Sequence, residues 1–151
     1  MLYWCMSKHI YKSHNKSLLL YHLVFPAKYR QKIFDTNVSE TLRDVCLGIS
    51  ERYEIHFVEI GMEDDHVHFL IQSVPVLAVT KLVTLLKRIT AKEIFRRHPE
   101  VKRLLWGGNI WTSGYYVNTV GAYANEVTIQ RYIAKQGSYQ EIFAQQLNLN
   151  L

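Results

Sequence analysis

Cysteine is scarce in this 151-residue chain, which contains only Cys5 and Cys46. They lie far apart and form no Cys-x-x-Cys pair, so the sequence predicts neither a disulfide framework nor a zinc ribbon. No apolar run approaches the roughly 20 residues that a helix needs to span a bilayer. Residues 1–16 also lack the continuous apolar segment of a signal peptide. We therefore expect a cytoplasmic protein with no membrane partner.

Acidic residues are outnumbered, with 13 Asp and Glu against 18 Lys and Arg, which gives a formal net charge of +5. This excess favours an acidic partner, and nucleic acid is the first candidate. Repeats, low-complexity tracts and internal linkers are also missing, and the length is typical of one domain. We expect a flexible N-terminal arm over residues 1–16 and a single domain over residues 17–151.

The hydrophobic pattern predicts four strands and three helices. The strands are expected at Leu18–Phe25, Ile55–Met62, Asp65–Ile71 and Ile110–Val120, and the helices at Asn37–Tyr53, at Leu77–Arg97 and from Asn125 to Lys135 or Gln136. A short acidic turn joins the second and third strands into a hairpin. The order β-α-β-β-α-β-α predicts an α+β fold, namely a ferredoxin-like antiparallel four-stranded sheet with helices packed on it.

His66 and His68 lie on the third predicted strand, with Val67 between them. Side chains two residues apart on a strand point the same way, so the two imidazoles share one face. Such a pair is a natural half-site for a divalent metal. The alternative is a pair of ordinary surface histidines on a half-exposed strand, because His-x-His is a short and common pattern.

Tyr132 and Gln136 lie one turn apart on the last predicted helix, and therefore on the same face. A glutamine can offer a neutral oxygen to a metal. Together with the two histidines it would form a three-ligand site that leaves positions open for substrate oxygens. Most of the ten tyrosines are expected to be core or surface residues, and the nearby glutamine is what distinguishes Tyr132.

Basic residues cluster at two places. Lys28, Tyr29 and Arg30 follow the first strand, where they form either a binding loop or a solvated one. A second cluster lies on the second helix, where four basic residues fall within about a quarter-turn of one another: Lys81, Arg88, Lys92 and Arg96. Such a stripe can follow a phosphate backbone, although a solvated helix face is the commoner explanation.

These patterns together resemble the single-tyrosine HUH transposases of small bacterial insertion sequences, the TnpA family, which has the REP-associated tyrosine transposases as relatives. The name HUH denotes two histidines separated by a hydrophobic residue. The resemblance covers about residues 18–137 and is carried by four blocks: Tyr21–Phe25 with Lys28–Arg30, Asp65–His68, Trp106–Trp111 through Thr119–Gly121, and Ile129–Gln136. The chain departs from the family where Ala27 separates Pro26 from Lys28, and this departure bears on DNA specificity.

The resemblance implies that His66, His68 and Gln136 hold one Mg²⁺ or Mn²⁺ and that Tyr132 is the nucleophile. The substrate would be single-stranded DNA at insertion-sequence ends, with hairpins recognised there, and the product a 5′-phosphotyrosine. The family also implies a homodimer. By analogy, the expected DNA contacts are Lys28, Tyr29, Arg30, Arg88 and Lys92.

Three other functions remain open at this point. A domesticated relative would use the same chemistry on chromosomal repeat hairpins. A non-catalytic domain would bind single-stranded nucleic acid on a ferredoxin-like sheet without forming a covalent adduct. A zinc hydrolase would use His66 and His68, but the sequence offers no third ligand at close spacing except Asp65.

Overall fold

The centre of the protein is a four-stranded antiparallel sheet, seen in a computed structural model that describes residues 9–120. The strands within that range are β1 (Ile10–Tyr11), β2 (Lys16–Ser17), β3 (Leu19–Pro26), β4 (His56–Glu63), β5 (His66–Ser73) and β6 (Tyr116–Val120). The helices are α1 (Thr36–Arg52), α2 (Val79–Arg97) and α3 (Pro99–Leu104), with one 3₁₀ turn at Lys28–Arg30.

The strand order in the sheet is β4-β5-β3-β6, and every neighbouring pair is antiparallel. Helix α1 connects β3 to β4, and α2 with α3 connects β5 to β6. This is the ferredoxin-like arrangement that the sequence predicts. Strand β5, which carries His66 and His68, lies between β4 and β3. The prediction of an HUH motif on a central strand is therefore confirmed.

Helix α1 forms where a cap and an apolar stripe coincide. The Asp35 carboxylate accepts a hydrogen bond from the Val38 backbone N–H at 2.8 Å, which satisfies one of the free donors at the helix start. Four residues of the predicted stripe are buried in the core: Val38, Leu42, Val45 and Ile49. Their spacing of three or four residues places them on the one face that packs inward.

Strand β5 uses its two faces differently. Val67, Phe69 and Ile71 belong to the hydrophobic core that α1 and α2 share with the sheet. The Phe69 ring meets the Phe25 ring of β3 edge-on, with 5.3 Å between the centroids. Because alternate residues point to opposite faces, His66 and His68 lie on the sheet face away from these helices.

The strand predicted at Ile110–Val120 is wrong in its first half, because only Tyr116–Val120 is a strand. Trp111 makes a single bridge to Ala27, and its side chain is only 1% exposed. Its indole N–H donates to the Thr90 hydroxyl of α2 at 3.0 Å. The aromatic and β-branched composition that suggested a strand reflects a tryptophan inserted into the core. Helix α3 was not predicted.

Lys87 of α2 holds the loop that leads into β6. Its ammonium donates to the carbonyl oxygens of Thr112 at 2.7 Å and Gly114 at 3.0 Å. It also lies near the rings of Phe25 and Tyr115, at 5.4 and 5.5 Å from their centroids. Burial lowers the pKa of Lys87 to about 8. The side chain therefore remains mostly protonated at neutral pH and can serve these carbonyls.

The predicted N-terminal arm begins outside the described residues. Its described part contains β1, which pairs with β2 through Ile10–Ser17 and Tyr11–Lys16. Lys12 forms an ion pair with Glu54, just beyond α1. These contacts attach this part of the arm to the domain, while the flexibility of the arm stays a prediction. In residues 9–120, none of the helices has the length and apolarity needed to cross a membrane.

Candidate metal and DNA site

His66 and His68 form a tight pair at the start of β5. Their ring centroids lie 4.8 Å apart, and the residues are only 8% and 3% exposed. His22 of the neighbouring strand β3 stacks on His68, with 5.6 Å between the centroids and nearly parallel planes. The alternative of ordinary surface histidines is therefore wrong, because both side chains are buried.

Three of the four ring nitrogens of this pair lack hydrogen-bond partners among the described residues. Nε2 of His66 and both nitrogens of His68 are buried without any partner among the described residues. Buried polar atoms are nearly always satisfied, so each exception needs an explanation. A divalent cation bound by one nitrogen of each ring would satisfy Nε2 of His66 and one nitrogen of His68, so the donor set fits the metal that the sequence predicts.

Asp65 orients the first imidazole of the pair. Its Oδ1 lies 2.7 Å from Nδ1 of His66, and its Oδ2 accepts a hydrogen bond from Nε of Arg30 at 3.1 Å. Burial opposes ionisation of Asp65, but the hydrogen bonds from His66 and Arg30 prevail and lower its pKa. An ionised carboxylate only accepts, so Nδ1 carries the proton and Nε2 is directed away as the potential ligand.

The second imidazole is held in its neutral form. Burial, followed by repulsion from the charges that His66 and His22 can carry, lowers the pKa of His68 to about 3. Burial also lowers the pKa of His22 to about 4. Metals bind the neutral imidazole. His68 therefore needs no deprotonation before it can serve as a ligand at neutral pH.

The histidine pair supplies only part of a metal site. Between residues 9 and 120, no group of three or more His, Cys, Asp or Glu side chains could hold a metal ion. The other residues assigned to the site, Tyr132 and Gln136, lie outside the described residues, and their roles stay predictions. The contacts of Asp65 with His66 and Arg30 weigh against the zinc hydrolase, which would need that carboxylate as a third ligand.

The basic turn at Lys28–Arg30 lies beside the histidines. The register of the sheet pairs Pro26 with His66, two residues before the turn begins. The Ala27 N–H donates to the Asp65 carbonyl oxygen at 2.8 Å. With the Arg30–Asp65 contact, these bonds place three of the predicted DNA-contact residues at the histidine end of β5. Their role in DNA binding stays a prediction.

Arg88 and Lys92 lie elsewhere. Both are exposed on α2, which packs on the opposite face of the sheet from His66 and His68. Arg88 lines a surface cavity of about 480 Å³ together with Asn109 and Tyr115. The sheet therefore separates these two cations from the histidine pair, and any DNA contact that they make belongs to a second surface.

A comparison with protein families decides what kind of protein carries this site. Residues 15–136 match the family model described as "Transposase IS200 like". The chain belongs to the IS200-like transposase family. Members of this family are enzymes that cleave and rejoin DNA, and the matched range contains His66, His68, Tyr132 and Gln136.

Individual relatives agree with this assignment. The ISDra2 transposase TnpA of Deinococcus radiodurans is 33% identical over 118 residues, which cover 78% of this chain and 84% of the relative. The transposase for insertion sequence element IS200 of Salmonella typhimurium is 27% identical over 124 residues, which cover 82% and 80%. A crystal structure of a candidate transposase from Deinococcus radiodurans R1 superposes with a TM-score of 0.69 at 30% identity, covering 84% of this chain and 97% of that one.

Sequence reasoning did not identify the role of Asp65 in this IS200-like transposase. Adjacent strand residues point to opposite faces, so the pattern alone does not predict a contact between Asp65 and His66. The contact arises because Asp65 still belongs to the turn between β4 and β5. An acidic residue directly before the His-x-His pattern, at the end of a hairpin turn, is the signal that could have indicated it.

Replacing Asp65 with asparagine is expected to weaken metal binding by about 10- to 100-fold, the usual effect of losing a carboxylate behind a metal-binding histidine. The asparagine amide cannot fix the His66 tautomer through a charged hydrogen bond. Calorimetric titration with Mn²⁺ in the presence of single-stranded DNA measures this affinity. The matched control is Asp64→Asn, which removes the same charge from the neighbouring exposed residue. Equal affinities for the two variants would contradict the role assigned to Asp65.

Proposed function

We propose that this IS200-like transposase cuts and rejoins single-stranded DNA at the ends of an insertion sequence through a 5′-phosphotyrosine intermediate. The observation that supports this best is the buried pair of His66 and His68, in which Nε2 of His66 and both nitrogens of His68 lack partners within the described residues. Asp65 orients the first histidine of the pair, and the basic turn at Lys28–Arg30 lies directly beside it. A metal-assisted reaction on a phosphate backbone accounts for all of these features.

In the proposed reaction, the phenolic oxygen of Tyr132 attacks the phosphorus at the cleavage site. A bond forms between this oxygen and phosphorus, and the bond from phosphorus to the 3′ oxygen breaks. The phenol loses its proton, and the departing 3′ oxygen gains one and becomes a hydroxyl. The covalent link preserves the phosphodiester energy, so a different 3′-hydroxyl can later attack it without ATP.

We assign His66, His68 and Gln136 as the ligands of one Mg²⁺ or Mn²⁺. When bound, the cation would polarise the phosphate and stabilise the charge of the transition state. The residues of the chain prepare the site, because Asp65 directs Nε2 of His66 towards it and burial keeps His68 neutral. Magnesium prefers oxygen ligands, so we expect weak affinity for Mg²⁺ until DNA is present.

We further propose that the enzyme binds hairpins at the element ends and acts as a homodimer. The turn at Lys28–Arg30 is well placed to contact DNA near the histidines, whereas Arg88 and Lys92 would contact a more distant segment. Sedimentation of the purified enzyme measures its oligomeric state. A mixture of Tyr132→Phe and His66→Ala proteins would recover cleavage only if the active site combines residues of two subunits.

The proposed chemistry is tested with labelled single-stranded hairpin oligonucleotides from the flanks of the gene, resolved on a denaturing gel. The wild-type enzyme should give a slow, protease-sensitive band that depends on Mg²⁺ or Mn²⁺. Tyr132→Phe should give none. The control is Tyr11→Phe, which removes the same atom from a tyrosine that is 71% exposed on β1.

Native gel shifts on the same oligonucleotides complete this test. If the wild type binds the hairpin but forms no covalent band with either metal, the proposed reaction is wrong and the chain binds DNA without cutting it. If Tyr132→Phe forms the band as well as the wild type does, another residue is the nucleophile.

A further inference from the structure

Two aromatic side chains stand exposed next to the histidine site. Tyr29 is 61% exposed and Trp106 is 86% exposed, and their ring centroids lie 6.1 Å apart. We call this pair the aromatic platform. The residues come from different loops, one after β3 and the other after α3. Large aromatic rings normally stabilise the folded protein by being buried. The exposure of two neighbouring rings therefore calls for an explanation.

The backbone at Trp106 is unfavourable for a tryptophan. The end of α3 is closed by two hydrogen bonds, from the Gly107 N–H to the Lys102 oxygen at 2.7 Å and from the Trp106 N–H to the Arg103 oxygen at 3.1 Å. This is the Schellman arrangement, in which glycine usually occupies the left-handed position. Here Trp106 occupies that position, with φ at 53°.

The backbone at Tyr29, the other residue of the platform, is also left-handed. Tyr29 and Arg30 have φ values of 58° and 52°. Together with Trp106, they are the only non-glycine residues of the range 9–120 that have a positive φ. Backbone strain of this kind persists where the surrounding structure enforces it, and it is concentrated at functional sites. All three strained residues lie at one place on the surface.

Cations lie beside the platform. The Lys28 ammonium is 5.2 Å from the centroid of the Tyr29 ring. The ammonium also lies next to Gly108, where a Cβ atom would come within 2.7 Å of it. Arg30 binds Asp65, and Asp65 in turn binds His66. Arg30, which follows Tyr29 in the chain, is thus connected to the histidine pair through two consecutive side-chain contacts.

We propose that Trp106 and Tyr29 stack an unpaired base of the substrate strand and that Lys28 contacts the phosphate next to it. This proposal rests on the proposed function and extends it to a base-binding position beside the histidine site. Aromatic rings next to cations are the usual means of holding single-stranded nucleic acid, because every base has a face that can stack. The neighbouring Lys102 and Arg103 are also exposed and add to the positive charge.

Binding of two probes without divalent metal tests the proposal, since no strand can then be cut by the proposed reaction. One probe is a single-stranded oligodeoxythymidine, and the other is an abasic strand of the same length and charge. Trp106→Ala should weaken binding of the oligodeoxythymidine about tenfold and leave binding of the abasic strand unchanged. Trp106→Phe should retain most of the affinity. The control is Val76→Ala, which shortens an apolar side chain that is also 86% exposed.

A stability measurement separates binding from folding. Trp106→Gly should raise the melting temperature, because glycine adopts the left-handed backbone without strain, and it should still lose affinity for the oligodeoxythymidine. Unchanged affinity in Trp106→Ala would overturn the proposal, as would an equal loss for the abasic strand. A change in oligomeric state without a change in DNA affinity would instead assign the platform to a protein contact. None of these results depends on the covalent band that tests Tyr132.

Discussion

His68→Leu is expected to raise the melting temperature of the apoprotein and to lower DNA cleavage by more than about 100-fold. Losing a residue that only supports a metal ligand costs up to about 100-fold, and we assign His68 as a ligand itself. His68 is 3% exposed, and neither ring nitrogen has a partner within the described residues. Leaving a buried polar group unsatisfied costs about 1–3 kcal/mol. Leucine fills a similar volume without polar atoms. The substitution therefore removes this cost and stabilises the fold, while the site loses a metal ligand.

Two measurements distinguish this result from a simple packing change. Circular dichroism without metal or DNA gives the melting temperature, and the denaturing gel gives the cleaved fraction. Adding Mn²⁺ and single-stranded DNA should stabilise the wild type further, because a ligand that binds only the folded state raises its stability, and should stabilise the variant less. Leu70→Met is the control, since it lies on the same strand and face and is equally buried. A less stable variant that still cleaves DNA would show that His68 is a structural residue.

Trp111→Ala is expected to destabilise the protein by about 3–5 kcal/mol, the usual cost of removing a buried tryptophan. The Trp111 ring packs against Phe25 and Phe34, with centroids at 5.5 and 5.4 Å, and its N–H donates to Thr90. Domains of this size are typically stable by only about 5–15 kcal/mol. For a domain at the lower end of this range, the substitution would remove most of the free energy of unfolding. The variant should therefore unfold at a much lower urea concentration than the wild type.

The chain provides its own control for this prediction, because Trp106 lies five residues earlier and is exposed. Urea unfolding of Trp106→Ala should differ little from the wild type. Trp111→Phe should lie between the wild type and Trp111→Ala, because the ring is partly kept and the Thr90 hydroxyl still donates to the Leu86 oxygen at 2.6 Å. Equal losses for the two alanine variants would mean that Trp111 does not support the core as described.

Local periodicity was sufficient to predict most of the described fold. The predicted stripe of α1 and the predicted alternation of β5 agree with the structure, because each depends only on neighbouring residues that face one core. The strand predicted around Trp111 is wrong for the opposite reason. Its composition favours a strand, but contacts with Thr90 of α2 and with the ring of Phe25 determine its place. These partners are distant in sequence and leave no local pattern.

The candidate site divides in the same way. The His66–His68 pair followed from a spacing of two residues on a strand, and its place on the sheet is confirmed. The contact of Asp65 with His66 and the exposure of Trp106 depend on turn geometry and on left-handed backbone angles. No residue pattern specifies these angles when the positions are not glycine. The contact of Asp65 and the exposure of Trp106 are therefore seen only in the structure.

Mass spectrometry of the protease-digested DNA adduct tests the central claim most directly. The wild-type enzyme is incubated with a single-stranded end oligonucleotide and Mg²⁺, and the covalent product is digested with protease and nuclease. The account predicts a nucleotide joined through its 5′-phosphate to the peptide that contains Tyr132. A nucleotide on a peptide without Tyr132, or cleavage that leaves only free 5′-phosphate ends, would contradict it.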